Sequence, residues 1–380
     1  MNILVTGGAG FIGRRLCAVL SDRGHSVTAL DNLSPTIHGY DPRTDVKADR
    51  LVVCDVRDAT NLARHLGAPE VVVHLAAKTG VGESMYEATE YASVNCVGTS
   101  AVLDVVLRPG SVSRVILASS RAVYGEGAYK CSSGHQFVPG PRTPAALRSG
   151  LWDIACPICG RASEPLRTRE TTAAAPGSIY GATKLSQEAA VRILCGAREV
   201  EPIALRFFNV YGPGQSLHNP YTGILGVFAR RARAGQSCEV FEDGAMLRDF
   251  VHVDDVVRAL VAAVELRTTG GADAPASPEI VANVGTGVGV TILEIAQRVA
   301  EFFGAPEPVI TGAFRIGDIR HCVADPEAAA RSLGFRSRIA FPDGVKEYAE
   351  WFCNQPANDV GDGMAELLSH QMGGKAGTLR

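Results

Sequence analysis

A chain of 380 residues, 46% hydrophobic and 20% charged, has the size and usage of one large globular domain or two closely joined ones. Its formal net charge of −3 excludes the basic surplus that nucleic acid or an acidic membrane surface would require. No apolar run approaches the ~18 residues of a membrane span, and Met1-Asn2 runs into an apolar strand without a basic leader, so the cytoplasm is the expected compartment.

Asn2–Thr6 (NILVT) reads as a strand and Phe11–Arg23 as a helix with Leu16, Val19 and Leu20 turned inward. Ser26–Leu30, Leu51–Cys54, Val71–Leu75 and Val115–Ala118 are further short apolar runs, as expected of strands buried on both faces. With helical stretches between them they form a βαβ series, which predicts an α/β fold with a doubly wound parallel sheet. The alternation breaks between about Glu126 and Thr172, a stretch rich in Pro, Gly, Ser and Arg that reads as an insertion. Helical periodicity returns at Ser178–Leu194, and a strand follows at Pro202–Phe207. Beyond it the chain is less regular, as a smaller substrate-binding domain would be, and the polar, Gly-rich segment after Cys353 is expected to be mobile. Cys17, Cys54, Cys96, Cys195, Cys238, Cys322 and Cys353 are scattered and read as small hydrophobes, not a disulfide scaffold.

Between the first strand and first helix lies Thr6-Gly-Gly-Ala-Gly-Phe-Ile-Gly13. Gly7 suits a tight turn, Gly10 a close approach of backbone to a pyrophosphate, and Gly13 the packing of helix on strand. The helix N-terminus would then stabilise the phosphates of a dinucleotide. Glycine-rich turns are common, but here an acid, Asp31, also ends the second strand, where it can accept from both ribose hydroxyls. It would repel a 2′-phosphate, which favours NAD over NADP. Arg14 and Arg15 nearby weigh the other way. Asp55, after the third strand, is placed either to meet the adenine or to cap a turn.

Tyr180 and Lys184 stand four apart, on one helical face. A phenol with a pKa near 10 is a poor base at neutral pH, and a close ammonium would stabilise its phenolate. The pair gains weight from Ala118–Gly125 (ASSRAVYG), which ends a strand at the carboxyl edge of the sheet, where ligands of open α/β sheets bind. Ser120 there can hydrogen-bond a reacting oxygen beside Tyr180.

These motifs, with HLAA (His74–Ala77), LRFFNVYGP (Leu205–Pro213), RDFVHVDD (Arg248–Asp255), NVGTG (Asn283–Gly287) and RIGDIRH (Arg315–His321), appear in a fixed order. From Met1 to about Phe352, the insertion apart, the chain resembles the extended short-chain dehydrogenase/reductases of the NAD-dependent sugar epimerase/dehydratase family. The resemblance implies a Rossmann-type NAD-binding domain over residues 1–205, with 126–172 inserted. It implies a smaller, mainly substrate-binding α/β domain over 206–352, from which 249–266 packs back on the first. Residues 353–380 form the tail. The catalytic trio would be Ser120, Tyr180 and Lys184, the last two also touching the cofactor. Phe11, Ile12, Asn32, Val56, Leu75, Ala76, Ala77 and Asn95 would join Gly7, Gly10, Gly13, Asp31 and Asp55 around NAD. Ser120, Arg121, Asn209, Arg248, Arg315 and Asp318 would bind a nucleotide-diphosphate sugar, the arginines on its diphosphate. A homodimer is implied as well.

One departure narrows the chemistry. The family's 4,6-dehydratases carry an acidic pair directly after the Ser or Thr, and its decarboxylases keep a Glu before Val-Tyr-Gly; here Arg121 and Ala122 occupy these positions. That points to 4-epimerisation, with a cofactor-consuming 4-ketoreductase, a non-catalytic NAD-sensing scaffold or a zinc-dependent interaction protein as alternatives. Within the insertion, Cys131, His135, Cys156 and Cys159 form two short-spaced pairs suited to one structural zinc. The insertion, NPYTG (Asn219–Gly223) and FEDG (Phe241–Gly244) are similar to the dTDP-L-rhamnose 4-epimerase-like group, which suggests a dTDP-6-deoxyhexose, then a UDP-hexose, as substrate.

Overall fold

The computed structural model describes residues 1–40, 42, 44–217, 223–267, 279–356, 369–370 and 372–377. Its centre is a parallel sheet of seven strands: β1 (Asn2–Thr6), β2 (Ser26–Asp31), β3 (Arg50–Val53), β4 (Val71–His74), β5 (Arg114–Ser120), β6 (Glu201–Phe207) and β7 (Ile280–Val284). Their spatial order is β7-β6-β5-β4-β1-β2-β3. Winding runs outward from β1 to β3, then jumps to β4 and proceeds the other way. The carboxyl ends of β1 and β4 therefore flank the crevice where such sheets bind ligands.

Strand side chains alternate between two apolar layers. Ile3, Val5, Val71, Ile116 and Ile203 pack with Leu16 and Leu20 of helix α1 (Phe11–Asp22). On the opposite face Leu4, Val72, Val115 and Leu117 meet Val102, Leu103 and Val106 of α2 (Gly98–Val106) and Val191 of α3 (Ile179–Gly196). Because both faces are covered, β4 and β5 need uninterrupted apolar runs, and every residue of both is buried.

The second half of the chain returns to this sheet twice. Helix α4 (Val253–Val264) places Val256 and Leu260 in the same layer as α1. Its last carbonyls, at Ala263 and Val264, accept from Arg114, which also pairs with Glu201 across β5 and β6 at 2.6 Å. This buried guanidinium satisfies groups that a helix C-terminus leaves open. The other return, β7, is not evident in the sequence reading, which leaves Ile280–Val284 outside the sheet. A separate cluster is built by α5 (Ile292–Phe303) and α6 (Phe341–Cys353) around Phe228, Phe250, Ile295, Phe341 and Tyr348.

Residues 126–172 carry their own three-stranded sheet, with Tyr129–Cys131 central between Gln136–Phe137 and Ser163–Pro165, and a short helix at Pro144–Arg148.

One expectation needs correction. The tail read as mobile includes an ordered strand, Gly373–Lys375, paired antiparallel with Ala313–Arg315. Glycine suggested flexibility, but at Gly374 it permits close approach, since a Cβ there would lie 2.8 Å from the Phe314 ring. Residues 357–368, 371 and 378–380 of the tail, and Asn219–Thr222 of NPYTG, lie outside the described residues. Among the described residues no helix is long and apolar enough to cross a membrane.

Candidate active site

The glycine loop sits at the switch point. Gly7 has φ +69, and a Cβ on it would lie 2.9 Å from the Ala76 nitrogen just beyond β4. A side chain at Gly13 would run into the Gly7 carbonyl. Glycine is therefore required at both positions, and the loop lies flat against Leu75 and Ala76. Helix α1 begins at Phe11 and Ile12 without a side-chain cap or an acid in its first turn, which leaves its N-terminus suited to phosphate.

Asp31 is buried beside this loop and accepts from the backbone nitrogens of Ala9 (3.1 Å) and Leu33 (2.9 Å). Asp55 closes the turn that follows β3, accepting from the Arg57 backbone nitrogen at 2.9 Å. Its carboxylate takes Arg57 Nε (2.9 Å) and Nη2 (2.8 Å) and Asn32 Nδ2 (3.3 Å). The hydrogen-bonded Arg57 guanidinium pulls its pKa down to about 2. Val56 packs against Gly98.

A π-helical turn at Ser93–Val97 precedes α2 and turns the buried Asn95 inward. Asn95 bridges the Lys78 backbone (2.8 Å) on the segment after Ala77 and the Thr183 hydroxyl (3.0 Å) on α3. His74 joins the same buried set between the hydroxyls of Thr6 (2.7 Å) and Thr99 (2.9 Å). Burial, and then the nearby Lys184, push its pKa down to about 3, so the ring is neutral.

Ser178 caps α3, its hydroxyl accepting from the Gly181 nitrogen, and this presents Tyr180 in the first turn. Ser120 closes β5, and its hydroxyl lies close enough to the Tyr180 phenol to pull the phenol's pKa down. Burial pushes that phenol above its ordinary range, while the Ser120 hydroxyl and then the Arg121 guanidinium pull it back. Lys184 lies 3% exposed, donates to the Ala118 carbonyl at 2.9 Å, and is itself pushed down to about 7 by burial.

Arg121 continues from Ser120 toward the remaining candidates. Burial and the neighbouring Arg248 both lower its pKa. Arg248 is almost fully buried and pairs with Asp318 at 3.0 Å. Burial would raise the Asp318 carboxyl, but Arg248, Arg315, Arg142 and Arg121 together hold it below the usual range. Arg315 lies over the Phe241 ring at 5.0 Å. Arg121 Nη1, Arg315 Nε and Asn209 Oδ1 are buried without a hydrogen-bond partner. Orphan buried polar atoms are costly, and here two are donors on arginines, as an anionic ligand requires.

The four residues of the insertion also meet. Cys131, His135, Cys156 and Cys159 bring one ligand atom each to within 4.8 Å of one another. The sulfurs of Cys131 and Cys159 are 3.8 Å apart, and that of Cys156 is 3.7 Å from His135 Nδ1.

Residues that sequence reasoning missed are Glu126, Arg142, Glu242 and Arg320, which join the insertion to the RIGDIRH loop through buried ion pairs. The cue available was charge inside an otherwise irregular stretch, which ordinarily means a solvated surface.

The sequence profile of the NAD dependent epimerase/dehydratase family matches residues 3–146 and 155–285, breaking inside the insertion. The chain is 40% identical to a dTDP-L-rhamnose 4-epimerase of Burkholderia thailandensis over 93% of its own length and 95% of that protein. It is similar to the solved structure of a UDP-glucose 4-epimerase with UDP-glucose from Thermotoga maritima. There the TM-score is 0.73 with 30% identity over 93% of this chain and 99% of that one. A UDP-glucose 4-epimerase of Thermus thermophilus in complex with NAD gives a TM-score of 0.73 with 26% identity, covering 94% of this chain and 100% of that one. A profile spanning more than half the chain and a relative at this identity give one conclusion: the chain belongs to the NAD dependent epimerase/dehydratase family.

Proposed function

We propose that the chain is a nucleotide-sugar 4-epimerase that keeps NAD bound and works through a transient 4-keto sugar. The observation that carries this is the meeting of the Ser120 and Tyr180 hydroxyls at the end of β5, followed by Arg121 and Ala122 where elimination would need an acid.

The site fits NAD on its own chemistry. Gly7 and Gly13 leave the loop flat, the N-terminus of α1 is open, and Asp31 stands where the ribose hydroxyls would lie. Bound there, NAD supplies a hydride acceptor at one face of the sugar and later a donor. Tyr180 takes the proton of the sugar 4-hydroxyl and returns it at the end, with Ser120 holding the same oxygen. Lys184, whose ammonium reaches the Ala118 carbonyl of β5, joins Asn95 and Thr183 in shaping the nicotinamide side. Arg121, Asn209, Arg248 and Arg315, with Asp318, hold the nucleotide diphosphate while the keto sugar turns about its link and presents its other face. A dTDP-6-deoxyhexose is the favoured substrate, on the 40% identity to a dTDP-L-rhamnose 4-epimerase, with a UDP-hexose next.

The Cys/His cluster fits one structural zinc held by Cys131, His135, Cys156 and Cys159. Zn–S bonds of about 2.3 Å in a tetrahedron place two sulfurs roughly 3.8 Å apart, matching Cys131 and Cys159. A four-ligand site is closed, so its contribution is to fold the insertion. A homodimer is favoured by Val97 and Ile193, which are 59% and 57% exposed beside and on the neighbouring helices α2 and α3. Ten cysteines, none of them in a disulfide, suit a cytoplasmic setting.

The deciding experiment is incubation of the purified protein with dTDP- and UDP-sugars and no added cofactor. Proton NMR should show inversion at C4; steady consumption of added NADH would mean a ketoreductase instead.

A further inference from the structure

We propose that Arg142, on the insertion, is a positioning residue for the diphosphate clamp: it fixes the loop bearing Arg315 and Asp318 and so sets how Arg248 meets the nucleotide. This rests on the reading of Arg248, Arg315 and Asp318 as that clamp.

The geometry is specific. All three nitrogens of the buried Arg142 guanidinium are engaged: Nε with Glu126 Oε1 (3.0 Å), Nη1 with Glu242 Oε2 (2.9 Å), and Nη2 with the Asp318 carbonyl (3.0 Å). The same Asp318 receives Arg248 on its carboxylate, also at 3.0 Å. One residue of the clamp is thus held from two sides, by the insertion on its backbone and by Arg248 on its side chain. Arg320 reinforces the joint. Its backbone nitrogen donates to Glu126, and its guanidinium reaches Glu242 (3.1 Å), Asp243 (2.6 Å) and Asp153 of the insertion (2.8 Å).

Glu242, between the two arginines, has φ +51, a left-handed backbone that non-glycine residues rarely adopt. Such strain persists only where surroundings over-determine it, and it concentrates at functional sites. Apolar packing would secure the insertion to the body more simply than buried ions do, since each charge must be desolvated. A planar fork reaching three acceptors specifies direction as well as adhesion. A cavity of about 10 Å³ lined by Gly125, Arg142, Ala175, Gly177 and Gly317 sets this joint against Gly125, which ends the helical turn that follows Ser120.

The test uses the full-length, NAD-loaded protein and the variants Arg142→Ala, Arg142→Lys and Glu242→Gln. Calorimetry with dTDP and UDP gives the Kd of the nucleoside diphosphate, and C4 inversion gives kcat and KM. Arg142→Ala should raise Kd and KM together by roughly tenfold to a hundredfold, the range for losing a charge-assisted hydrogen bond. Turnover should change less than about threefold, with Arg142→Lys intermediate, because a point charge cannot span three acceptors. A Kd within twofold of wild type, or a fall in kcat at constant KM, overturns the proposal. If Arg142→Ala fails to fold, Arg142→Lys and Glu242→Gln decide it by the same two readouts. Wild-type protein that binds neither diphosphate defeats the clamp reading and this inference with it, whereas normal wild-type binding with unaffected variants defeats this inference alone.

Discussion

Replacing Lys184 by Met should abolish turnover and, at neutral pH, stabilise the protein freed of its dinucleotide. The ammonium is 3% exposed, and burial lowers its pKa from 10.5 to about 7 against the opposing pull of Glu188. Between those values the unfolded chain binds more protons than the folded one, so stability rises with pH across that window. The cost of burying this lysine is therefore nearly full at pH 7 and fades toward pH 10.5. At 1.36 kcal/mol per unit, the shift corresponds to on the order of 4–5 kcal/mol. Met fills a similar volume without charge but leaves the Ala118 carbonyl short of its 2.9 Å donor, an opposing loss of about 1–3 kcal/mol. The net expectation is a gain of roughly 2 kcal/mol at pH 7 that vanishes or reverses by pH 10. Urea unfolding of stripped wild type and variant at both pH values measures it. A variant less stable at pH 7, or a difference that does not move with pH, would refute the burial argument.

Tyr180→Phe removes the hydroxyl that meets Ser120 while leaving the glycine loop untouched. It should keep its bound NAD and lose kcat by about 10²–10⁴-fold, and near-normal turnover would assign the proton transfer to another group. Elemental analysis should find about one zinc per chain, and Cys156→Ser should lose both the metal and thermal stability. A metal-free protein that melts at the same temperature as the variant would remove zinc from the account.

Much of the dinucleotide half is legible from local pattern. Gly7 and Gly13 announce close backbone approaches because no other residue tolerates them. The Val and Ile runs of β4 and β5 announce strands covered on both faces. Tyr180 and Lys184 announce one helical face by spacing, and the Cys/His pairs announce a cluster. What the spacing does not give is burial: Lys184 is only 3% exposed, which pushes its pKa down to about 7. Burial depth is a property of the packed sheet and cannot be judged from a four-residue interval.

The amino-acid sequence alone therefore determined the βαβ winding, the glycine loop, the hydroxyl pair and the family. These depend on periods of two and 3.6 residues and on steric rules that act over a few positions. Only the tertiary structure decided that Ile280–Val284 is the seventh strand and that Gly373–Lys375 is an edge strand, not loose chain. It alone brought Glu126, Arg142, Glu242 and Asp318 into one buried joint. A carboxylate and a guanidinium a hundred residues apart carry no local signal of each other, because their pairing is set by desolvation and by which surfaces the fold brings together.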